Sequence, residues 1–366
     1  MNVFCKIMKE VLHSRIKGSL VAGAAGDALG YTVEFMKYPY IINNFGEKGI
    51  TEYQLNENGI AKISDDTQMT LFTAVGLVDG LHKGDGSDPL NLSESVKEAY
   101  IDWFNMQMQN NVKIKCWLGD VKEMGIPRTP GLTCIGSLEL LAKGETPDNN
   151  SCGCGGVMRI APVALLAAAV NTSGKYPPWK SEDIIKLGVA TSHLTHLSPV
   201  ADFAAGMLTY LLYSIVISKE KVTAKKIKNI IKEAKDMISK LSDPKTGKPY
   251  SKSQKGSLKS FFNLVDKGIK LSSSKTSDVK AISSIGEGWR GDEAFVIALY
   301  CSVKHINDIE SALIASVNHS GDSDSTGCIT GHIMGLICGY ENIPDKFKKN
   351  LEILDIIEKV ADNIMI

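Results

Sequence analysis

The stretch His319-Ser-Gly-Asp-Ser-Asp-Ser-Thr-Gly327 sets two carboxylates, Asp322 and Asp324, and two hydroxyls, Ser325 and Thr326, just ahead of the apolar run 328–338. Such a run begins a buried helix, and at a helix start the backbone N–H groups and the dipole favour negative charge. Hard oxygen ligands gathered there suit a divalent cation. A lone Asp-Ser-Asp serves equally well as a helix cap, so the metal reading needs a second cluster. Ser64, Asp65 and Asp66 supply it, because they precede a segment whose apolar residues Met69, Phe72, Val75 and Val78 return at helical spacing. Two Asp-rich helix starts, 257 residues apart from Asp65 to Asp322, are better read as the halves of one metal site. An EF-hand is excluded: Asp322, Asp324 and Gly327 fit its opening, but its obligatory bidentate Glu would fall on Ile333.

Three further features carry possible chemistry. Cys152-Gly-Cys-Gly-Gly-Val-Met-Arg159 precedes a helical segment, and Gly153, Gly155 and Gly156 can bring backbone N–H groups to a phosphate or diphosphate at the helix N-terminus. It matches neither the P-loop nor the dinucleotide fingerprint, and a tight packing turn fits the composition as well. His193 and His196 stand three apart, near one helical face, with no third soft ligand for zinc; a hydrogen bond to substrate or a satisfied core histidine is the better reading. Trp289 sits among glycines in Gly286-Glu-Gly-Trp289, where it can stack on a base or close the core. Glu34 stands among apolar residues where a helix gives way to a loop.

The elements that position these residues read as helices. Residues 14–30 are apolar on nearly every face and rich in Gly and Ala, which predicts a buried central helix with a close neighbour and a paired Asp27. Apolar returns at three and four mark 93–109, 132–143, 156–170, 181–193 and 197–217, and 36–63 read as loop. Helices also follow at 261–269 and after the turn at 286–290, and one ends at Asn318. With no strand series and no repeat, the chain is expected to be all-α. Its 366 residues, 43% hydrophobic and 22% charged, suit an ordinary globular chain.

Lys+Arg and Asp+Glu balance at 41 each, so net charge calls for neither nucleic acid nor an anionic membrane. No uninterrupted apolar run approaches the roughly 18 residues of a spanning helix, and a cytoplasmic protein is expected. Eight cysteines without regular spacing make no disulfide framework, and Cys152 and Cys154 lack the partner pair of a zinc site. Residues 219–280 differ from the rest, with 17 lysines, no arginine and six acids, a net +11 that leaves about −11 elsewhere. A solvated basic face with an amphipathic helix explains them, and a docking patch for a protein partner or nucleic acid is the alternative.

Together these motifs resemble the ADP-ribosylglycohydrolase family. The matching pieces are Gly26-Asp-Ala-Leu-Gly30 with Glu34, Ser64-Asp-Asp-Thr67, Gly155-Gly-Val-Met-Arg159, Thr195-His196, Gly286-Glu-Gly-Trp289 and Gly321-Asp-Ser-Asp-Ser-Thr-Gly327, in the family's order. The resemblance implies one all-α domain over 1–366, a compact orthogonal helical bundle with a dinuclear metal site at helix N-termini. It implies two divalent ions, Mg²⁺ or Mn²⁺, on Ser64, Asp65 and Asp66 from one side and Asp322, Asp324 and Ser325 from the other. Glu34, Asp65, Asp66 and Asp324 are then the catalytic set, and Gly155, Gly156, Val157, Met158, His196 and Trp289 the substrate-binding set. The implied reaction is hydrolysis of the glycosidic bond joining ADP-ribose to an acceptor. Arginine is the preferred acceptor, since the 321–327 motif looks more like arginine-directed members; serine-linked and small-molecule substrates stay open. An isoprenoid synthase would share Mg²⁺ and diphosphate, but Asp65-Asp-Thr-Gln-Met69 lacks the third carboxylate of its motif. A non-catalytic ADP-ribose binder or toxin-neutralising partner could keep every motif.

Overall fold

The apolar returns become fifteen α-helices, with no strand among the described residues, in a computed structural model that describes residues 3–84 and 86–366. In chain order they are α1 (Val3–Tyr31), α2 (Tyr38–Phe45), α3 (Asp65–Lys83), α4 (Leu92–Gln107), α5 (Leu132–Ala142), α6 (Ala161–Ser173), α7 (Ser181–His193) and α8 (Pro199–Val216). The second half adds α9 (Ala224–Ser239), α10 (Lys252–Ser272), α11 (Asp278–Ile285), α12 (Gly291–Lys304), α13 (Ile309–Val317), α14 (Ser323–Cys338) and α15 (Leu354–Ile364). Their apolar faces merge into one cluster running from Leu12 to Ile364.

The axis of this arrangement is the seam between α1 and α14. The helices run antiparallel: Gly18 meets Gly335 and Gly339, whereas Gly30 meets Ser323 and Asp324. Contact is backbone to backbone. A Cβ on Gly26 would stand 2.0 Å from the Gly327 carbonyl, and one on Gly331 1.9 Å from that of Ala22. No other residue type permits that approach. The C-terminal end of α1 is thereby held beside the N-terminal end of α14.

Asp27 of α1 ties in a third helix. Its carboxylate accepts from the Ser64 and Thr67 backbone amides at 3.0 and 3.1 Å, and from the Thr67 hydroxyl. These donors open α3, so the partners a buried Asp requires are supplied by a helix start.

Two helices and two apolar stretches differ from the sequence expectation. The presumed loop 36–63 contains α2, with Pro39 in the first turn, where its missing N–H leaves no bond unmade, and Ile41 in the core. Helix α10 is longer than residues 261–269 because a capping box, Ser251 with Gln254, starts it earlier. Two stretches, Cys154–Ser173 and Pro199–Val216, are long and apolar enough to span a membrane, with 89% and 78% of their apolar windows buried inside the protein. Small alanines and a few polar residues interrupt the apolar runs without lowering their mean hydropathy below that of a span.

Candidate active site

The starts of α3 and α14 and the end of α1 meet at a cavity of about 320 Å³, lined by Glu34, Asp65, Asp66, Asp322, Asp324 and Ser325 among others. Each carboxylate is placed by a helix terminus. Ser64 caps α3, accepting from the Asp66 amide at 3.1 Å. Asp322 caps α14, accepting from the Ser325 amide at 3.3 Å, while Asp324 accepts from the same amide at 3.0 Å. Glu34 follows α1 in a turn whose amide is bonded to the Gly30 carbonyl at 2.9 Å. Ser64 and Asp322 thus cap the two helices, and Asp65, Asp66, Asp322 and Asp324 face one cavity.

This concentration of acid has an electrostatic cost. Burial first, and then the charge of Asp324, holds Asp65 up at about 8 and Glu34 up at about 10. The same two causes push Asp66 and Asp322 well above the carboxylate range. Asp27 rises only to about 7, because its hydrogen bonds to Ser64 and Thr67 oppose burial and the charge of Asp324. Asp66 Oδ2 is buried without a hydrogen-bond partner. An orphaned carboxylate oxygen amid mutually repelling acids and serine hydroxyls is a donor set that fits hard divalent cations. Among the described residues no three His, Cys, Asp or Glu side chains are grouped so as to hold a metal ion; Asp322 and Asp324 are turned onto the Ser325 amide instead.

The opposite wall is the glycine-rich turn. It is fastened to the turn at 286–290 by an antiparallel bridge, Cys154 N to the Trp289 carbonyl at 3.1 Å and Gly291 N to the Cys152 carbonyl at 2.8 Å. That second turn is fixed to α14, since Asp322 N donates to the Glu287 carbonyl at 2.9 Å. Gly321 has φ 125°, and a Cβ there would lie 2.0 Å from the same carbonyl. Gly155, Met158, His196 and Trp289 line the cavity, whereas Gly156, Val157 and Ser64 lie buried behind its wall. Gly156 backs onto His196 and Ser192.

Several lining residues carried no functional signal in the sequence. The Cys154 thiol donates to Asp322 Oδ2 at 2.7 Å, although all eight cysteines read as packing. Phe35, at φ 66°, is two-thirds exposed and stacks on Trp289 with ring centroids 5.2 Å apart, so the mouth carries an exposed aromatic pair. Leu132, Thr133 and Cys134 at the start of α5 complete the rim. The histidine pair separates: α7 ends at His193, which turns to Asp202 at 2.9 Å outside the cavity, while His196 in the following turn faces inward.

Comparison with known proteins agrees with this architecture. The family model ADP-ribosylglycohydrolase matches residues 8–366. The chain is similar to ADP-ribosylhydrolase ARH1 of Dictyostelium discoideum, 24% identical over 98% of this chain and 95% of that one. It is 22% identical to the ADP-ribosyl-[dinitrogen reductase] glycohydrolase of Rhodospirillum rubrum over 93% and 91% of the two chains. With ADP-ribosylhydrolase ARH3 of Homo sapiens it shares 23% identity over 58% and 57%. Among solved structures, an "ADP-ribosylglycohydrolase-related protein complex" chain superimposes with a TM-score of 0.63 at 18% identity, over 97% of this chain and 98% of that one.

Proposed function

The chain belongs to the ADP-ribosylglycohydrolase family, whose chemistry is hydrolytic removal of ADP-ribose, and from that premise we propose that its acceptor is a protein arginine. The observation that carries the proposal is the shape of the mouth: five carboxylates within, and the exposed Phe35–Trp289 pair at the rim. A guanidinium gains from both, by charge attraction to the acids and by stacking on an aromatic face. A neutral serine acceptor gains from neither.

Ser64, Asp65 and Asp66 would hold one side of a pair of divalent cations, Mg²⁺ or Mn²⁺, and Asp322, Asp324 and Ser325 the other. When bound, such ions supply positive charge that polarises ribose oxygens and lowers the pKa of water. Glu34, half-buried on the α1 side, accepts a hydrogen bond from a ribose hydroxyl or from the attacking water. Gly155 and Met158 form the wall against which the diphosphate lies, and Trp289 covers the mouth. A release assay on arginine- and serine-ADP-ribosylated peptides, with Mg²⁺, Mn²⁺ or chelator, tests the reading. Arginine release should exceed serine release and vanish in chelator; equal or faster serine release would overturn the acceptor assignment.

A further inference from the structure

Arg159 is fully buried, near the cavity yet outside its lining. Its guanidinium lies over the Tyr100 ring at 4.4 Å, and Nη2 donates to Thr195 Oγ1 at 2.6 Å. The same oxygen is 2.8 Å from His196 Nδ1. Arginine can only donate, so it occupies a lone pair of the Thr195 oxygen and leaves the hydroxyl hydrogen to be placed. Two acceptors adjoin that hydrogen, the imidazole nitrogen of His196 and the thiol of Cys134. The sulfur is the weaker acceptor, and Arg159 Nη1 already faces it at 3.5 Å. The hydroxyl therefore donates to Nδ1, and the ring proton must sit on Nε2.

Nε2 makes no hydrogen bond among the described residues and faces the glycine turn, where a Cβ on Gly153 would stand 3.2 Å away and one on Gly155 3.3 Å. Burial, and then the charge of Arg159, lowers the His196 pKa to about 3, so the ring is a neutral donor. We propose that Arg159 is a positioning residue which, through Thr195, fixes His196 in the Nε2–H form so that it donates to an oxygen of the ADP-ribosyl group lying along the glycine turn. This deepens the functional reading above and rests on it for the ligand. A neutral donor of fixed tautomer suits a phosphate or ribose oxygen without drawing the nearby carboxylates toward itself, as an imidazolium would.

Thr195→Val removes the hydroxyl at nearly constant shape, and Thr195→Ser restores it. The ¹⁵N spectrum of the His196 ring, in protein without ligand, should report protonated Nε2 and bare Nδ1 in the wild type. Thr195→Val should populate the other tautomer and weaken ADP-ribose binding, followed by calorimetry, about tenfold, the loss expected for one hydrogen bond. Thr195→Ser should recover both signatures. A wild-type tautomer in Thr195→Val, or unchanged ADP-ribose affinity despite a changed tautomer, overturns the proposal, as does a Thr195→Ser protein as impaired as Thr195→Val. Failure of the wild type itself to bind ADP-ribose, with the tautomer as stated, would instead overturn the functional reading and with it the ligand named here.

Discussion

The α1–α14 seam and the α9–α10 pair are both helical and adjacent to the same core, yet they are built on opposite rules. At the seam, glycine carbonyls replace side chains as the packing surface, and the helix ends deliver uncompensated acid to a cavity. In α9, Ile227, Ile230, Ile231, Ala234 and Ile238 are buried on one face, while the lysines on the other pair locally, Lys235 with Asp266 at 2.5 Å and Lys240 with Asp236 at 2.6 Å. No residue of α9 or α10 lines the site cavity. Charge in the lysine-rich region is thus dispersed and water-facing, where each pair contributes little. Charge at the seam is concentrated and buried, where it must take up a proton or a partner of opposite sign. The difference separates a region that stores binding energy from one that keeps the surface wet.

The sharpest test of that contrast is Asp324→Asn. Asp324 is the charge that most raises its neighbours after burial, and as an asparagine it could still serve a cap. If it ligates cations, turnover should fall by about 1,000-fold or more, since outer partners of metal ligands alone cost on the order of 10–100-fold. The protein should stay folded, and its melting temperature should rise less on adding Mn²⁺ than that of the wild type. Wild-type turnover with an unchanged Mn²⁺ shift would reduce the acids to caps. Next in size is Gly331→Ala, whose Cβ would lie 1.9 Å from the Ala22 carbonyl. Forcing the helices apart should cost about 3 kcal/mol or more, read by urea denaturation, at the overpacked end of core substitutions.

The acid cavity also fixes the sign of a pH effect. Asp27, Asp65 and Glu34 have folded values raised to about 7, 8 and 10, so the metal-free fold binds protons that the unfolded chain releases. Their contribution is fully present below the unfolded carboxylate range and is lost as pH rises through those folded values. Metal-free protein should therefore melt at higher temperature at pH about 6 than at pH about 9, and saturating Mn²⁺ should shrink the difference. A melting temperature independent of pH across that window would mean the acids are compensated without metal. The smallest effect completes the comparison: Gly256→Ala in α10, with nothing within 4 Å of the added Cβ, should stabilise by about 0.5–1 kcal/mol. The same substitution thus carries opposite signs in the two regions.

Local patterns exposed much of this in the sequence. Ser64, Asp65 and Asp66 and the 321–327 motif were legible because a cap needs hydroxyls and acids at the chain positions that also face outward from a helix start. The Gly and Ala density of 14–30 announced a close helix neighbour, but nothing local said that the neighbour is α14. Cys154 against Asp322, Phe35 against Trp289 and Arg159 against Thr195 are meetings between segments 36 to 254 residues apart, and only tertiary packing decides them. His193 and His196 misled for a different reason: a three-residue spacing shares a face only if the helix continues, and this one ends at His193. Residues 36–63 read as loop, yet Pro39 lies in the first turn of a helix there.

The seam also dictates when the molecule can come into being. Gly18 and Gly335 are 317 residues apart, so of the two backbones that must touch, one leaves the ribosome long before the other. At about 5–20 residues per second, α1 waits some tens of seconds for the helix that completes it. During that interval its glycine and alanine face has no native cover, and pairing it carries the loop-closure cost of nearly the whole chain. Nascent chains stopped before α14 hold Glu34 and Asp65 but lack Asp324 and Ser325, so activity should appear all at once, when α14 has been made.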